Sequence, residues 1–413
     1  MTGETERASA VAGPDARPRV LIVSPQAFFA VAGTPINVLQ MVRALGDLGY
    51  EVHLLTLPLG EDVDVPHLVY HRVMRLPYIT HVPVGFSYAK ALYNIVLFFA
   101  LIGLLAKQKF VALQAIEESA FYAVPLARLF KVPGISDLDS DISAQLLSNP
   151  SAAVRAMGTA ASYVQRWSLR RGSAAVTVAK HLTDLVKETA PGLPVFEITD
   201  IPLDAALRTP DDAKVCALRS KFGGSDRPLL VYTGNFDPRQ GIEVLIESMS
   251  AVRERFPEAL LLLVGGEEQE IDRLKAYVRS LDLGHSVRFL GKQPPDTMPE
   301  YMALATVLVS PRLEPLVTPL KIYSYMVSGR PIVATDLPTH TQVLDAQSAV
   351  LAEPTADGLA AGLIKALEDP ETAEVLGRQA KTYVLERHSF EHFKAEIRAA
   401  YDRIAAAPDA PDR

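Results

Sequence analysis

The chain has 413 residues, 49% hydrophobic and 22% charged, which is enough apolar material for about two cores of ordinary domain size and too much for a single small binding module. Its 48 acidic side chains outnumber 41 basic ones, giving a net charge of -7, and this argues against a protein whose main task is coating nucleic acid, an affinity that rests on cationic surface. Cys216 is the only cysteine, so an internal disulfide and a thiolate zinc cluster are excluded, and a reducing cytoplasm is the expected compartment.

Residues 1–18 are rich in Ala, Gly, Glu and Arg and lack an apolar core segment, which reads as a disordered tail and not a secretory signal. Residues 19–25 (RVLIVSP) form a β-rich run. A loop containing Gly33 follows, then a helical pattern through Val38, Met41, Val42 and Leu45 that ends at Gly49, then a second strand over 51–57: one βαβ unit. The longest apolar run, 95–106, is shorter than the roughly 18 residues a membrane-crossing helix needs. It reads as a helix packed on a sheet, with an interfacial, membrane-facing surface as the second reading.

Further strands near 111–115, 134–137, 174–178 and 195–198 alternate with helical patterns, which implies a parallel sheet covered on both faces and a first doubly wound domain over 19–205. Within it, Asp137-Leu138-Asp139-Ser140-Asp141 sets carboxylates two apart. Such a spacing suits a hard cation, but acidic and Ser residues before the run 142–147 also serve as helix caps or acceptor ligands, and that is the favoured reading. Arg166, Arg170 and Arg171 around Trp167 form the clearest basic cluster. It reads either as a solvated helix face or as a face for anionic lipid or a phosphorylated acceptor.

The polar stretch 204–225 reads as a linker. A second strand series then runs through 228–233, 259–264, 287–290, 306–310 and 331–335, each leading into a loop and a helix, and gives a second domain over 206–385. Residues 386–407, with Phe390, Phe393, Ile397 and Tyr401 at helical spacing, read as a helix returning to the first domain, and 408–413 as a tail. His388 and His392 lie four apart without a third ligand nearby, so packed or solvated histidines are favoured over a zinc pair.

Three loops of the second half can meet an anion. Gly234-Asn235-Phe236-Asp237-Pro238-Arg239-Gln240-Gly241 joins a strand to a helix, where backbone N–H groups and a helix N-terminus point at a ligand and Arg239 can add a charge-assisted bond. Gly265-Gly266 follows the next strand in the same way, and in both loops a plain structural turn remains the alternative. Thr318-Pro319-Leu320-Lys321 opens a short helix that carries Ser324 and stops at Gly329. A lysine there is unfavourable toward the helix dipole unless an anion is bound. Ligands of doubly wound proteins gather at this edge, so a phosphate-bearing substrate is expected. The dinucleotide fingerprint is absent.

The order of TGN and QG, then LVGG, VRFLG, SPR with Glu314, TPLKIYSYM, SGRPIVAT and THTQVL resembles the donor domain of glycosyltransferase family 4, over essentially residues 19–405 and most specifically 229–345. The resemblance implies a GT-B fold, two Rossmann-like α/β domains facing each other across a cleft. It also implies retaining transfer of a sugar from a UDP- or GDP-linked donor, without metal or other cofactor, to a hydroxyl of a glycan, a lipid-linked sugar or a small metabolite. Donor and acceptor are the partners, nucleic acid is not, and peripheral contact with the inner face of a membrane stays open.

By the same resemblance Gly33 and Thr34 approach the donor phosphates, Arg239 and Lys321 neutralise the diphosphate, and Gly291 lies near the base. Glu314 matches the first of the family's paired glutamates, beside the transferred sugar. Gly234, Asn235, Gly241, Gly265, Gly266, Thr318 and Ser324 complete the expected donor site. Glu117, Glu118, Asp137 and Asp139 are the acceptor candidates. The departures are Ser324 at the second glutamate, Gln240 where a diphosphate lysine is usual, Asn235 where arginine is frequent, and Ile116 where many relatives carry histidine. They keep two rivals open: a same-fold enzyme glycosylating sulfur or nitrogen, and a non-catalytic sugar-nucleotide binder.

Overall fold

The structure, a computed structural model, describes residues 17–29, 33–82, 87–147, 151–224, 227–314 and 318–406. The expected tails at 1–16 and 408–413 and Pro315 of the acidic motif lie outside the described residues. The chain divides into two compact units. One comprises residues up to Val176 with Asp184–Phe196 and the segment from Ile397 onward; the other comprises Thr177–Thr183 and Glu197–Glu396.

The first unit is built on a seven-stranded sheet of β1 (Arg19–Ser24), β2 (Glu51–Thr56), β3 (Leu68–Arg72), β4 (Ala112–Ile116), β5 (Gly134–Leu138), β6 (Ala174–Thr177) and β7 (Val195–Glu197), in the order β3-β2-β1-β4-β5-β6-β7. The second carries six strands, β8 (Leu229–Thr233), β9 (Leu260–Val264), β10 (Val287–Gly291), β11 (Val307–Ser310), β12 (Ile332–Thr335) and β13 (Val350–Ala352), in the order β10-β9-β8-β11-β12-β13. The β1, β2 and β4 pairings and the second-sheet ladders are parallel. Strands covered on both faces need apolar side chains at every position, which is why VLIV in β1 and LLVY in β8 are fully buried, continuous runs.

Alternate residues of the second sheet feed different cores. Leu230, Tyr232, Leu261 and Leu263 pack on one face, while Leu229, Val231, Leu260 and Leu262 pack on the other with Ile322, Tyr323 and Tyr325. In both sheets the strand order reverses beside the first strand, between β1 and β4 and between β8 and β11. That reversal opens a crevice at the C-terminal strand ends, where doubly wound folds bind ligands.

Several elements depart from the sequence reading. The edge strands β3 and β13 were not among the expected strands. The expected linker is instead largely helical, with Asp204–Leu207 and Asp212–Lys221. Asp211 caps the latter by accepting from Ala213 N at 2.9 Å and Lys214 N at 3.2 Å, and Arg208 reaches the buried Glu300 carboxylate at 2.7 Å. The apolar run at 95–106 belongs to a longer helix, Tyr88–Lys107, of which Tyr93, Leu97, Leu101 and Leu105 enter the core of the first unit. In the final segment, Tyr401 donates to Gln114 Oε1 at 2.6 Å.

Candidate functional site

At the switch point of the second sheet, the β8 loop turns sharply at Gly234 (φ 137°). A Cβ there would lie 2.9 Å from the Lys321 Nζ and 3.1 Å from the Tyr232 hydroxyl, so the missing side chain is what admits the lysine amine. Lys321 reaches this place from the first turn of the helix Leu320–Ser328, which Gly329 ends with φ 71°. Its Nζ donates to Gln240 Oε1 at 2.9 Å and stands 3.8 Å from the centre of the Tyr232 ring. Tyr232 in turn donates to the Asn235 carbonyl at 2.7 Å. Gly234, Asn235, Gln240 and Lys321 are thus one cluster. The residue that replaces the family's usual lysine, Gln240, holds the amine of another.

Burial, and then the neighbouring Arg312 guanidinium, pushes the Lys321 amine well below its ordinary value. Two cations enclosed together at a helix N-terminus are electrostatically unfavourable until an anion joins them. Arg312 was not among the expected site residues. Its Nε is buried with no hydrogen-bond partner, and burial followed by Arg239 lowers its pKa. Arg239 is held differently. Asp237 accepts from its Nε at 2.9 Å, its Nη2 at 3.0 Å and its backbone N at 3.0 Å, a bidentate pair that engages much of the charge the sequence assigned to the diphosphate. Glu314 lies within electrostatic reach of both arginines.

His340 fixes this arrangement from behind. It is fully buried, and Nδ1 meets the Thr335 carbonyl at 2.9 Å, which only a protonated Nδ1 can do. The bare Nε2 therefore accepts from Ser310 Oγ at 2.8 Å. Thr335 Oγ1 donates to the Arg312 carbonyl at 2.6 Å, so the imidazole is tied through Thr335 to the loop that presents Arg312. Burial lowers the His340 pKa to about 4 and keeps the ring neutral beside two cations. The THTQVL segment was part of the sequence pattern, yet nothing in it distinguished the histidine.

The remaining expected donor residues are placed as follows. The Cβ direction of Gly265 is filled by the Gly234 carbonyl, that of Gly266 by the Phe236 ring and that of Gly241 by the Pro311 carbonyl, so all three let the protein's own loops nest. Gly291 accepts from Gly265 N at 2.8 Å and has open space on its Cβ side. Thr318 is buried and hydrogen-bonded to Tyr323. Ser324, one turn beyond Lys321, is buried with its hydroxyl unpartnered.

The switch point of the first sheet has the opposite charge. Glu117 follows β4 with φ 54°, a left-handed conformation that costs a non-glycine residue about 1 kcal/mol. Ser140 donates to both of its oxygens, at 3.0 and 2.9 Å, and burial followed by the charge of Asp139 pushes its carboxyl well up. Asp139 is raised to about 6 by burial, against a hydrogen bond from Thr34, and Asn37 Nδ2 stands 3.4 Å from its Oδ1. Thr34, Glu117 and Asp139 are therefore together, with Gly33 opening the adjoining helix Gly33–Asp47. A small cavity of about 20 Å³, room for little more than a water, lies beside Glu117 and is lined by Phe121, Ser140, Ile142 and Gln165.

Glu118 and Asp137 are held elsewhere. Glu118 is paired with Lys90 at 2.8 Å, and Asp137 is buried and accepts from Gln114 Nε2 at 2.5 Å. Asp141 accepts from Ala144 N and Ser143 Oγ, both at 3.0 Å, as a helix cap. The alternating aspartates thus diverge to three sets of partners. His388 packs between Tyr323 and Tyr383, and His392 faces Glu396.

A family model described as "Glycosyl transferases group 1" matches residues 218–383. A phosphatidyl-myo-inositol mannosyltransferase of Mycolicibacterium smegmatis is 25% identical over 403 residues, covering 94% of this chain and 95% of that protein. Among solved structures, sucrose-phosphate synthase from Thermosynechococcus elongatus superposes with a TM-score of 0.79 at 22% identity, over 95% of this chain and all of that one. Anabaena HepE, solved in complex with UDP, gives 0.73 at 14% identity over 93% and 99%.

Proposed function

We infer, from the premise that this chain is a GT-B glycosyltransferase with a nucleotide-sugar donor, that it transfers the sugar with retention from a UDP- or GDP-linked donor to an acceptor hydroxyl. The observation that carries this reading is Lys321: an amine enclosed beside Arg312 at a helix N-terminus, in space that Gly234 clears for it, with no carboxylate bonded to it among the described residues. A diphosphate supplies the charge this place lacks. On departure of the nucleotide its growing negative charge is met by Lys321, Arg312 and the backbone N–H groups of the first helical turn, so the cations stabilise the transition state more than the bound donor.

We assign Glu314 to the transferred sugar and Arg239 to a secondary role, since Asp237 already engages its guanidinium. Glu117 and Asp139 form the acceptor-side group, and Thr34, expected at the donor phosphates, is bonded to Asp139. A carboxyl with a pKa of about 6 is partly protonated near neutral pH and can both donate to and accept from a hydroxyl. One relative is named a phosphatidyl-myo-inositol mannosyltransferase and another, 29% identical over 102 residues, a GDP-mannose-dependent mannosyltransferase, so GDP-mannose is the first donor to test; a glycan, lipid-linked or small-molecule hydroxyl is the proposed acceptor class. We also propose that the cations present make a metal unnecessary.

The test is a panel of nucleotide sugars assayed by saturation-transfer NMR and by donor hydrolysis without acceptor, each with and without chelator, with the anomeric configuration of any released or transferred sugar read by NMR. Binding of one donor, chelator-insensitive turnover and a retained anomer are expected. No binding by any nucleotide sugar overturns the donor reading, strict metal dependence overturns the metal-free part, and an inverted anomer overturns retention.

A further inference from the structure

The charges of the chain are distributed unevenly. From Val65 to Thr183 it carries twelve Lys or Arg and only five carboxylates, in a protein whose acids outnumber its bases 48 to 41. Those five, Glu117, Glu118, Asp137, Asp139 and Asp141, all lie at or just beyond the ends of β4 and β5 and are engaged there by the contacts described above. None falls on the helices Tyr88–Lys107, Ala120–Leu129 or Ala152–Leu169.

These three helices lie side by side in the first unit. Tyr122 joins the first pair by donating to Asn94 Oδ1 at 3.0 Å and by its ring contact with Phe98, and Ser168 joins the second by donating to the Ala120 carbonyl at 2.5 Å. Their outer surface is apolar where such layers are ordinarily charged. On the first helix Tyr88, Leu92, Ile95 and Phe99 (66% exposed) form a stripe opposite the buried Tyr93, Leu97 and Leu101. On the third, Tyr163 (73% exposed) and Trp167 stand one turn apart, with the Arg171 guanidinium 4.1 Å from the centre of the Trp167 ring and Arg166 and Arg170 adjacent.

We propose that this helical layer docks on an anionic lipid bilayer, lying in the interface without crossing it. By length and composition the first helix could cross a bilayer, but its Tyr93, Leu97, Leu101 and Leu105 are packed in the core of the first unit, which argues for a helix lying on the membrane over one surrounded by lipid. Charge complementarity selects the occupant. An apolar stripe with an aromatic and arginine flank and no carboxylate fits a surface that offers acyl chains for insertion and phosphate headgroups for pairing, with the arginine stems lying along the apolar boundary. The proposal stands on the first unit and is independent of the donor reading. Where both hold, the acceptor is carried by a lipid.

Trp167 is the only tryptophan in the chain and so reports on this surface directly. The full chain is mixed with phosphatidylcholine vesicles with or without about one third phosphatidylglycerol. Co-sedimentation, a blue shift of Trp167 emission and quenching by brominated acyl chains are expected with the anionic vesicles only, weakening in high salt. Two variants, checked for fold by circular dichroism, separate the contributions. Arg166→Gln/Arg170→Gln/Arg171→Gln lowers anionic vesicle affinity about a hundredfold, and Ile95→Glu/Phe99→Glu abolishes quenching. Absence of binding to anionic vesicles overturns the proposal, as does binding that neither variant changes. Self-association or polyanion binding through the same residues without vesicle binding overturns it too.

Discussion

The switch points of the two sheets share a topology and differ in charge. After β8 and β11 the chain assembles Lys321, Arg312 and Arg239 around glycine loops, with a histidine kept neutral behind them. After β1 and β4 it assembles Thr34, Glu117 and Asp139, with both carboxyls raised by burial and Glu117 further by the charge of Asp139. The same topology therefore presents opposite chemistry according to the side chains its loops carry. The cationic one suits a polyanion, and the carboxyl one suits hydroxyls that must be oriented and relieved of a proton.

The comparison breaks most visibly at Lys321. Lys321→Ala is expected to weaken nucleotide-sugar binding by about 3 kcal/mol, more than a hundredfold, because among the described residues it leaves Arg312 as the one cation of this cluster not engaged by a carboxylate. Gln240→Lys in the same chain restores part of the loss, since Gln240 Oε1 lies 2.9 Å from the missing amine. Titration calorimetry with the nucleotide checks both. An unchanged affinity in Lys321→Ala breaks the cationic half of the comparison.

The second effect is on stability. His340 has a pKa near 4 when folded and an ordinary one near 6.5 when unfolded, so the unfolded chain takes up the proton first as pH falls. The stabilisation is complete above 6.5 and is lost progressively between 6.5 and 4, about 3 kcal/mol in all. His388, also held near 4, adds loss in the same direction. Urea unfolding at pH 7 and pH 4.5 is expected to show this decline, with a shallower slope in His340→Gln. The third and smallest effect concerns the carboxyl group. Asp139→Asn removes an inflection near pH 6 from the acceptor-dependent rate, lowers that rate about tenfold and leaves donor affinity unchanged. A donor defect in this variant would erase the division between the two sites.

Much of the molecule was legible in its sequence because parallel strands buried on both faces must be apolar throughout, and runs such as RVLIVS and LLLLV leave little else to be. The edge strands β3 and β13 were not legible. LVYHR is half exposed and contains His71, whose Nε2 meets His53 Nδ1 at 2.8 Å, a pairing invisible without the fold, and Val350–Ala352 spans only three residues. In the site, glycines and a lysine at a helix start signal themselves by residue type. Arg312 and His340 do not, since their importance comes from being enclosed, and enclosure depends on packing partners distant in sequence. Glu117 and Glu118 are adjacent and alike, and only the left-handed turn at Glu117 sends one toward Ser140 while the other meets Lys90.

The nesting of the glycine loops also limits how this protein can diversify. At Gly234 and Gly266 a new side chain would strike the end of Lys321 or the ring of Phe236, contacts that a second substitution can withdraw, leaving only the backbone strain of their φ of 137° and 80°. At Gly241 and Gly265 it would strike, at 2.0 Å, the carbonyls of Pro311 and Gly234, and no exchange of side chains moves a backbone oxygen. Evolution toward a new donor must therefore leave that pair untouched and work through Lys321, Gln240 and Ser324, where replacements can be compensated one at a time.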